Sequence, residues 1–189
     1  RFVGRGLSRC AACDGGFFRK QGVAVVGGGD AAVHEALLLS GLAAEVVMIT
    51  RSPLSAKRAH IDRLAAKENV RFVWDSVVTA ILGDPDSPQG GVEGVRVRHV
   101  PSGQEQDIAC AGLFPVIGGV PNSDLLPPAL LSPTGHVRTD ANLVSDDPRL
   151  FAAGAIRDGY GGQAVEAMAE GISAARGAVQ RLDQSDAAR

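Results

Sequence analysis

Aromatic residues are scarce in this 189-residue chain, with one tryptophan, one tyrosine and six phenylalanines. Its core must therefore be built mainly from aliphatic side chains. Cysteine is scarcer still. Three cysteines cannot form a disulfide framework, so a small secreted scaffold is excluded and a reducing, cytoplasmic setting is expected. No run of about 18 apolar residues occurs, which removes any spanning helix from expectation. The formal net charge is only −2, so neither nucleic acid nor a membrane surface is expected as a partner. Apolar residues nevertheless make up 45% of the chain, enough for a sizeable folded core. The chain starts at Arg1 without a methionine, and the expectation is a piece of a longer protein.

Two features stand out against that background. Cys10-Ala11-Ala12-Cys13-Asp14-Gly15 is a Cys-x-x-Cys pattern, and the apolar run Val23-Ala24-Val25-Val26 then feeds Gly27-Gly28-Gly29-Asp30-Ala31-Ala32. A short β-branched run ending in glycines and followed by an Ala/Leu-rich segment is a strand, a turn and a helix. In such a turn Gly27 permits the tight bend and Gly29 lets backbone approach a pyrophosphate. Ala32 lets the helix lie close to the strand, and the helix start offers free N–H groups to phosphate. The bland alternative is a glycine turn without a ligand. The strand before it and the helix after it weigh against that.

The rest of the chain extends the pattern. Residues 46–49 and 70–74 read as two more buried strands, with helical composition over 31–42 and 56–68. This β-α-β-α-β order is the unit of a nucleotide-binding domain. Residues 77–82, 92–99 and 106–109 read as an antiparallel meander, and 112–118 as a returning apolar strand. From Gly119 the sequence turns proline-rich. Short strands are expected at 137–140 and 150–154, then a long helix over 163–182 with Val165, Met168, Ile172 and Val179 on one face, and a frayed tail over 184–189.

The end of the second strand bears on nucleotide choice. An acidic residue there would hold a ribose diol, but the sequence is Thr50-Arg51-Ser52. Arg51 can face a 2′-phosphate and Ser52 can donate to it, so NADPH is expected, with NADH possible. The cysteine pair reads first as a redox dithiol, in which one thiolate attacks a substrate disulfide and the other resolves the mixed disulfide, with Asp14 as proton donor and acceptor. Zinc would need two more ligands, and Cys110, His34, His60, His99 and His136 are scattered, so no metal is expected. Inert buried thiols are the third alternative, and Cys110 itself reads as a core residue.

These residues also carry a resemblance. Ser8-x-Cys10-Ala11-x-Cys13-Asp14-Gly15-x-Phe17-Phe18 and the Val-Val-Gly-Gly-Gly-Asp turn resemble the bacterial low-molecular-weight thioredoxin reductase family. Ala111-Gly112-Leu113-Phe114, Gly118-x-x-Pro121-Asn122, Thr139-Asp140, Phe151-Ala152-Ala153-Gly154 and the Ala-rich last helix follow in the family's order. The resemblance implies an α/β fold: a Rossmann-like nucleotide domain over residues 1–118, with a parallel sheet and an antiparallel meander, then the C-terminal part of a flavin-binding domain over 119–189. It implies NAD(P)H-dependent, FAD-linked reduction of a thioredoxin-like protein disulfide or a small disulfide, in a homodimeric parent protein. Cys10 would attack the substrate, and Cys13 would lie nearer the flavin with Asp14 as acid/base. Gly27, Gly29 and Ala32 would hold the pyrophosphate, and Phe151 to Gly154 with Gln163 and Ala164 would line the flavin. Gly28, Asp30, Ala31, Gly118 and, from the residue reading above, Arg51 and Ser52 complete the cofactor-binding candidates.

The departures are equally specific. The family's His-Arg-Arg-x-x-x-Arg signature is reduced to Arg51, with Ala56 in the last arginine position. Ala155 replaces an aspartate, and Gly161-Gly162-Gln163 stands for Tyr-Arg-Gln. No second strand-and-glycine turn for a flavin pyrophosphate is present. The expectation is a fragment without its N-terminal flavin segment, inactive alone. A nucleotide-binding or regulatory module without turnover, and a thiol oxidase or small-disulfide reductase, are the alternatives.

Overall fold

A computed structural model describes residues 1–87 and 90–187. The chain forms two compact units, Arg1–Gly118 and Gly119–Arg189.

The first unit is organised around β1 (Gly22–Val26). It runs parallel to β2 (Glu45–Ile49) on one side and β7 (Gly112–Pro115) on the other, and β3 (Val70–Val73) completes a four-stranded sheet in the order β3-β2-β1-β7. Val23, Ala24 and Val25 are all fully buried, as are Val46, Val47, Met48 and Ile49. Central parallel strands are covered on both faces, which explains why these runs are apolar throughout rather than alternating.

The two coverings differ. Val23, Val25, Val46, Met48 and Phe114 face one side, where they meet Ala32, Val33, Ala36 and Leu39 of α2 (Asp30–Ser40) and Leu64 of α3 (Arg58–Ala65). Ala24, Val47, Ile49 and Leu113 face the other, against Val92, Val95, Val97 and Ile108. Those last residues belong to a second sheet of antiparallel strands β4 (Ser76–Gly83), β5 (Val92–His99) and β6 (Glu105–Ala109). The expected α/β fold with its meander is therefore present, with helices on one face and the antiparallel sheet on the other. Each fully buried Leu or Met contributes about 1.5–3 kcal/mol through removal from water.

Two expected elements are adjusted. Helix α3 covers Arg58–Ala65 rather than 56–68, because the preceding loop is held elsewhere: Ser55 N–H donates to Gly28 O and Lys57 N–H to Asp30 Oδ1. The strand expected over 112–118 ends at Pro115. Residues 88–89, in the segment joining β4 to β5, lie outside the described residues.

In the second unit the short strands expected at 137–140 and 150–154 do not form. Val137 makes isolated bridges to Leu131 and Arg157, and Phe151 one to Val144. No continuous partner strand exists among the described residues of this unit, so single bridges, turns and side-chain contacts take over. Asp140 accepts the N–H groups of Asn142 and Val144, both at 2.9 Å, around Leu143 at φ +66°. Helix α4 runs Ala164–Ala187, so most of the tail expected to fray is helical, and residues 188–189 lie outside the described residues. Beyond Gly177 the sequence has no glycine or proline to stop it. Gly177 lets α4 approach Phe151, whose ring lies 2.9 Å from where a Cβ would stand.

Candidate redox and nucleotide site

The cysteine pair sits on a lead-in segment moored to the first sheet. Leu7 bridges Leu113 in parallel, and Ser8 N–H donates to Leu113 O. Ala11 is buried, and the Phe18 ring meets Phe114 edge-on, with centroids 5.4 Å apart. Gly112 makes room for that ring, which would lie 2.7 Å from a Cβ there.

Between these anchors the chain forms a single helical turn, α1 (Ala11–Asp14), with Cys10 as its N-cap. Cys10 and Cys13 are joined in a disulfide. Cys10 Sγ also accepts the Cys13 N–H at 3.1 Å, and Ser8 Oγ accepts the Cys10 N–H at 3.1 Å. Cys13 is exposed, while Cys10 and Asp14 are half-buried. The Ala11 N–H, between the two cysteines, donates to the carboxylate of Glu35 on α2. Sequence reading had no means of finding Glu35, because the contact joins residues far apart in the chain. Cys110, the free cysteine among the described residues, is buried, and desolvation pushes its thiol up to about 11.

The glycine turn follows β1. Gly27 has φ +137°, and a Cβ there would lie 2.2 Å from Val116 O and 3.0 Å from the Ala32 methyl, so only glycine fits. Gly29 is the N-cap of α2, with space around it open to 4 Å, where Ser55 Oγ stands. The first turn of α2 bonds Val33 N–H to Gly29 O, which leaves the N–H groups of Asp30, Ala31 and Ala32 without intrahelical partners. The turn lies where the chain leaves β1 for β2 on one side while β7 lies on the other. Such a switch point is where open α/β sheets bind nucleotides. Gly118 follows β7 at φ +84° with open space around it.

Arg51 and Ser52 are exposed beyond β2. Thr50 beneath them is buried, and its hydroxyl donates to Ser52 O, shaping the turn that carries Arg51. This loop is bound to the glycine turn by the Ser55–Gly28 and Lys57–Asp30 bonds, so Arg51, Ser52 and residues 27–32 belong to one local assembly.

Gly154, Gln163 and Ala164 lie in the second unit. Gly154 has φ +73°, and its N–H donates to Glu170 Oε2 at 2.7 Å. Glu170 also pairs with the Arg157 guanidinium, and that bond holds the carboxyl below its ordinary value. Gln163 and Ala164, at the start of α4, are exposed.

Residues 1–171 match the pyridine nucleotide-disulphide oxidoreductase family, and the chain belongs to it. Within that class its similarity is to thioredoxin reductases. It is 37% identical over 183 residues to the thioredoxin reductase of Treponema pallidum, covering 96% of this chain and 58% of the relative. It is 39% identical over 175 residues to that of Streptomyces coelicolor, covering 91% and 53%. Among solved structures, Lactococcus lactis thioredoxin reductase superposes with a TM-score of 0.77 at 32% identity, over 95% of this chain and 58% of that one. The chain thus spans somewhat more than half the length of these relatives. Among the described residues no helix is long and apolar enough to cross a membrane.

Proposed function

We propose that this chain carries the dinucleotide-binding and dithiol part of an NAD(P)H-dependent, FAD-linked disulfide reductase acting on a protein disulfide of the thioredoxin type. The observation that carries this reading is the Cys10–Cys13 disulfide in the same folded unit as an open glycine turn, with α2 touching both.

The nucleotide fits the residues present. Gly27 makes the bend, Gly29 leaves room for a pyrophosphate, and three helix-start N–H groups are free to bind it. Arg51, exposed beyond β2 where no acidic residue stands, supports a preference for the 2′-phosphate of NADPH. The second unit offers Gly154, Gln163 and Ala164 to a flavin, but the Gly154 N–H is already held by Glu170 and Ala155 supplies no carboxylate. A flavin would therefore need contacts from a segment beyond these residues. When bound, the nicotinamide and flavin supply the electron pair that opens the disulfide.

The chain's own residues do the rest. Two electrons and two protons convert the Cys10–Cys13 disulfide to a dithiol, and Asp14, next to Cys13 in the chain, is the proposed proton carrier. The Cys10 thiolate, favoured by the Cys13 N–H on its sulfur, attacks a substrate disulfide and releases one substrate thiolate. Cys13 then attacks the mixed disulfide, restoring Cys10–Cys13 and freeing the second substrate thiol. The greater exposure of Cys13 favours the reverse order of the two cysteines. Trapping separates the orders. Cys13→Ser should accumulate a mixed disulfide at Cys10 with an oxidised thioredoxin-type protein. Accumulation only in Cys10→Ser exchanges the roles, and no adduct in either variant defeats the reading.

The occupied Gly154 N–H and Ala155 favour a second reading, a module that binds nucleotide without turnover. It predicts NADPH binding with no thiol–disulfide exchange.

A further inference from the structure

We infer that Glu35 is a positioning residue for the dithiol, holding the Cys10–Cys13 turn by the Ala11 N–H and making the pair a stronger reductant. This rests on the redox function proposed above.

A four-residue helical turn has little stability of its own. Its sulfur-bearing N-cap is stabilised through the Cys13 N–H, but the Ala11 N–H, the first donor of the turn, is directed to a carboxylate on another element. A backbone N–H to an ionised carboxylate is a charge-assisted bond, stronger than a neutral one. Helix α2 that carries Glu35 is fixed by Val33, Ala36 and Leu39, all fully buried, so the carboxylate is presented from a rigid support. The same helix begins at the nucleotide turn.

The electrostatic consequence has a definite sign. N–H donors around a cysteine sulfur favour its thiolate, and nearby negative charge disfavours it. Glu35 does both unfavourable things: it withdraws the Ala11 donor and places a carboxylate beside the residue that follows Cys10. A thiolate made less stable destabilises the dithiol form relative to the disulfide. That lowers the reduction potential, the direction a donor of electrons needs.

The test is equilibration of the whole chain with reduced and oxidised glutathione at pH 8, followed by peptide mapping. Oxidising the dithiol consumes one oxidised glutathione and yields two reduced glutathione molecules, so the ratio reads the equilibrium directly. Glu35→Gln keeps an acceptor oxygen and removes the charge. It should shift the equilibrium toward the dithiol by about threefold. An unchanged equilibrium, or a shift toward the disulfide, overturns the inference. Glu35→Asp keeps the charge on a shorter arm. It should leave the equilibrium within about twofold while amide exchange at Ala11 rises about tenfold. Unchanged exchange there overturns the positioning role even if Glu35→Gln fails to fold. A wild-type pair that does not cycle at all defeats the redox function instead, so the two failures are distinguishable.

Discussion

Three cysteines in one chain meet three environments. Cys110 is buried with its thiol pushed up to about 11, whereas Cys13 is exposed on a turn and Cys10 receives a backbone N–H on its sulfur. Thiol counting with an aromatic disulfide reagent at pH 8 should therefore find no reactive thiol in the oxidised native protein, two after mild reduction and a third only on unfolding. Rapid reaction of Cys110 in the native state would contradict this. Arg51 supports a sharper expectation. Replacing it with alanine should weaken NADPH more than NADH by about 1–2 kcal/mol, measured calorimetrically. Equal losses would remove it from 2′-phosphate recognition. Phe17, 77% exposed four residues beyond Cys13, offers an apolar surface to the protein substrate of the proposed reductase. Phe17→Ala should slow exchange with a protein disulfide while leaving a small aromatic disulfide unaffected. The cysteine spacing and glycine turn were legible at this scale because each is written in consecutive residues. Glu35, Glu170 and Arg157 were not, because their partners are set by tertiary packing.

At the scale of elements, β1, the glycine turn and α2 hold the first unit together. Gly27→Ala should cost about 2 kcal/mol or more in denaturant unfolding, since both its φ and its contact with Val116 O exclude a Cβ. Phe18→Ala should cost about 3–5 kcal/mol by opening the contact with Phe114 that moors the dithiol turn. Losses below about 1 kcal/mol in either variant would show that the local packing is more forgiving than described. Strands β1 and β2 were legible because burial on both faces makes their residues apolar throughout. Helix α3 was expected too long because helical composition at residues 56 and 57 does not reveal that the loop is tied to the glycine turn. The strands expected at 137–140 and 150–154 failed for a related reason. A sequence can favour extended backbone, but a strand also needs a neighbour, and in the second unit these segments have only single bridges.

For the whole molecule, each unit brings its own vulnerability. In the second, Arg157 and Glu170 are largely shielded, with side chains 16% and 11% exposed. Hydrogen bonding to Arg157, then to the Gly154 N–H, lowers the Glu170 carboxyl below its ordinary 4.5. A lowered folded-state value gives stability that is full above about pH 5 and is lost as pH falls through the folded value. Glu170→Gln should flatten the acid limb of the stability curve below about pH 4.5, and an unchanged limb would show that the pair does not contribute. Helix α4 presents Val165, Met168, Ile172 and Val179, between 57% and 73% exposed, as an apolar face. The most direct measurement of the central claim is a glutathione redox titration of the intact chain with peptide mapping at each potential. The account predicts one reversible two-electron transition, with the Cys10–Cys13 cross-link forming and breaking while Cys110 stays a thiol throughout. Absence of that cross-link at every potential, or pairing of either cysteine with Cys110, would contradict it.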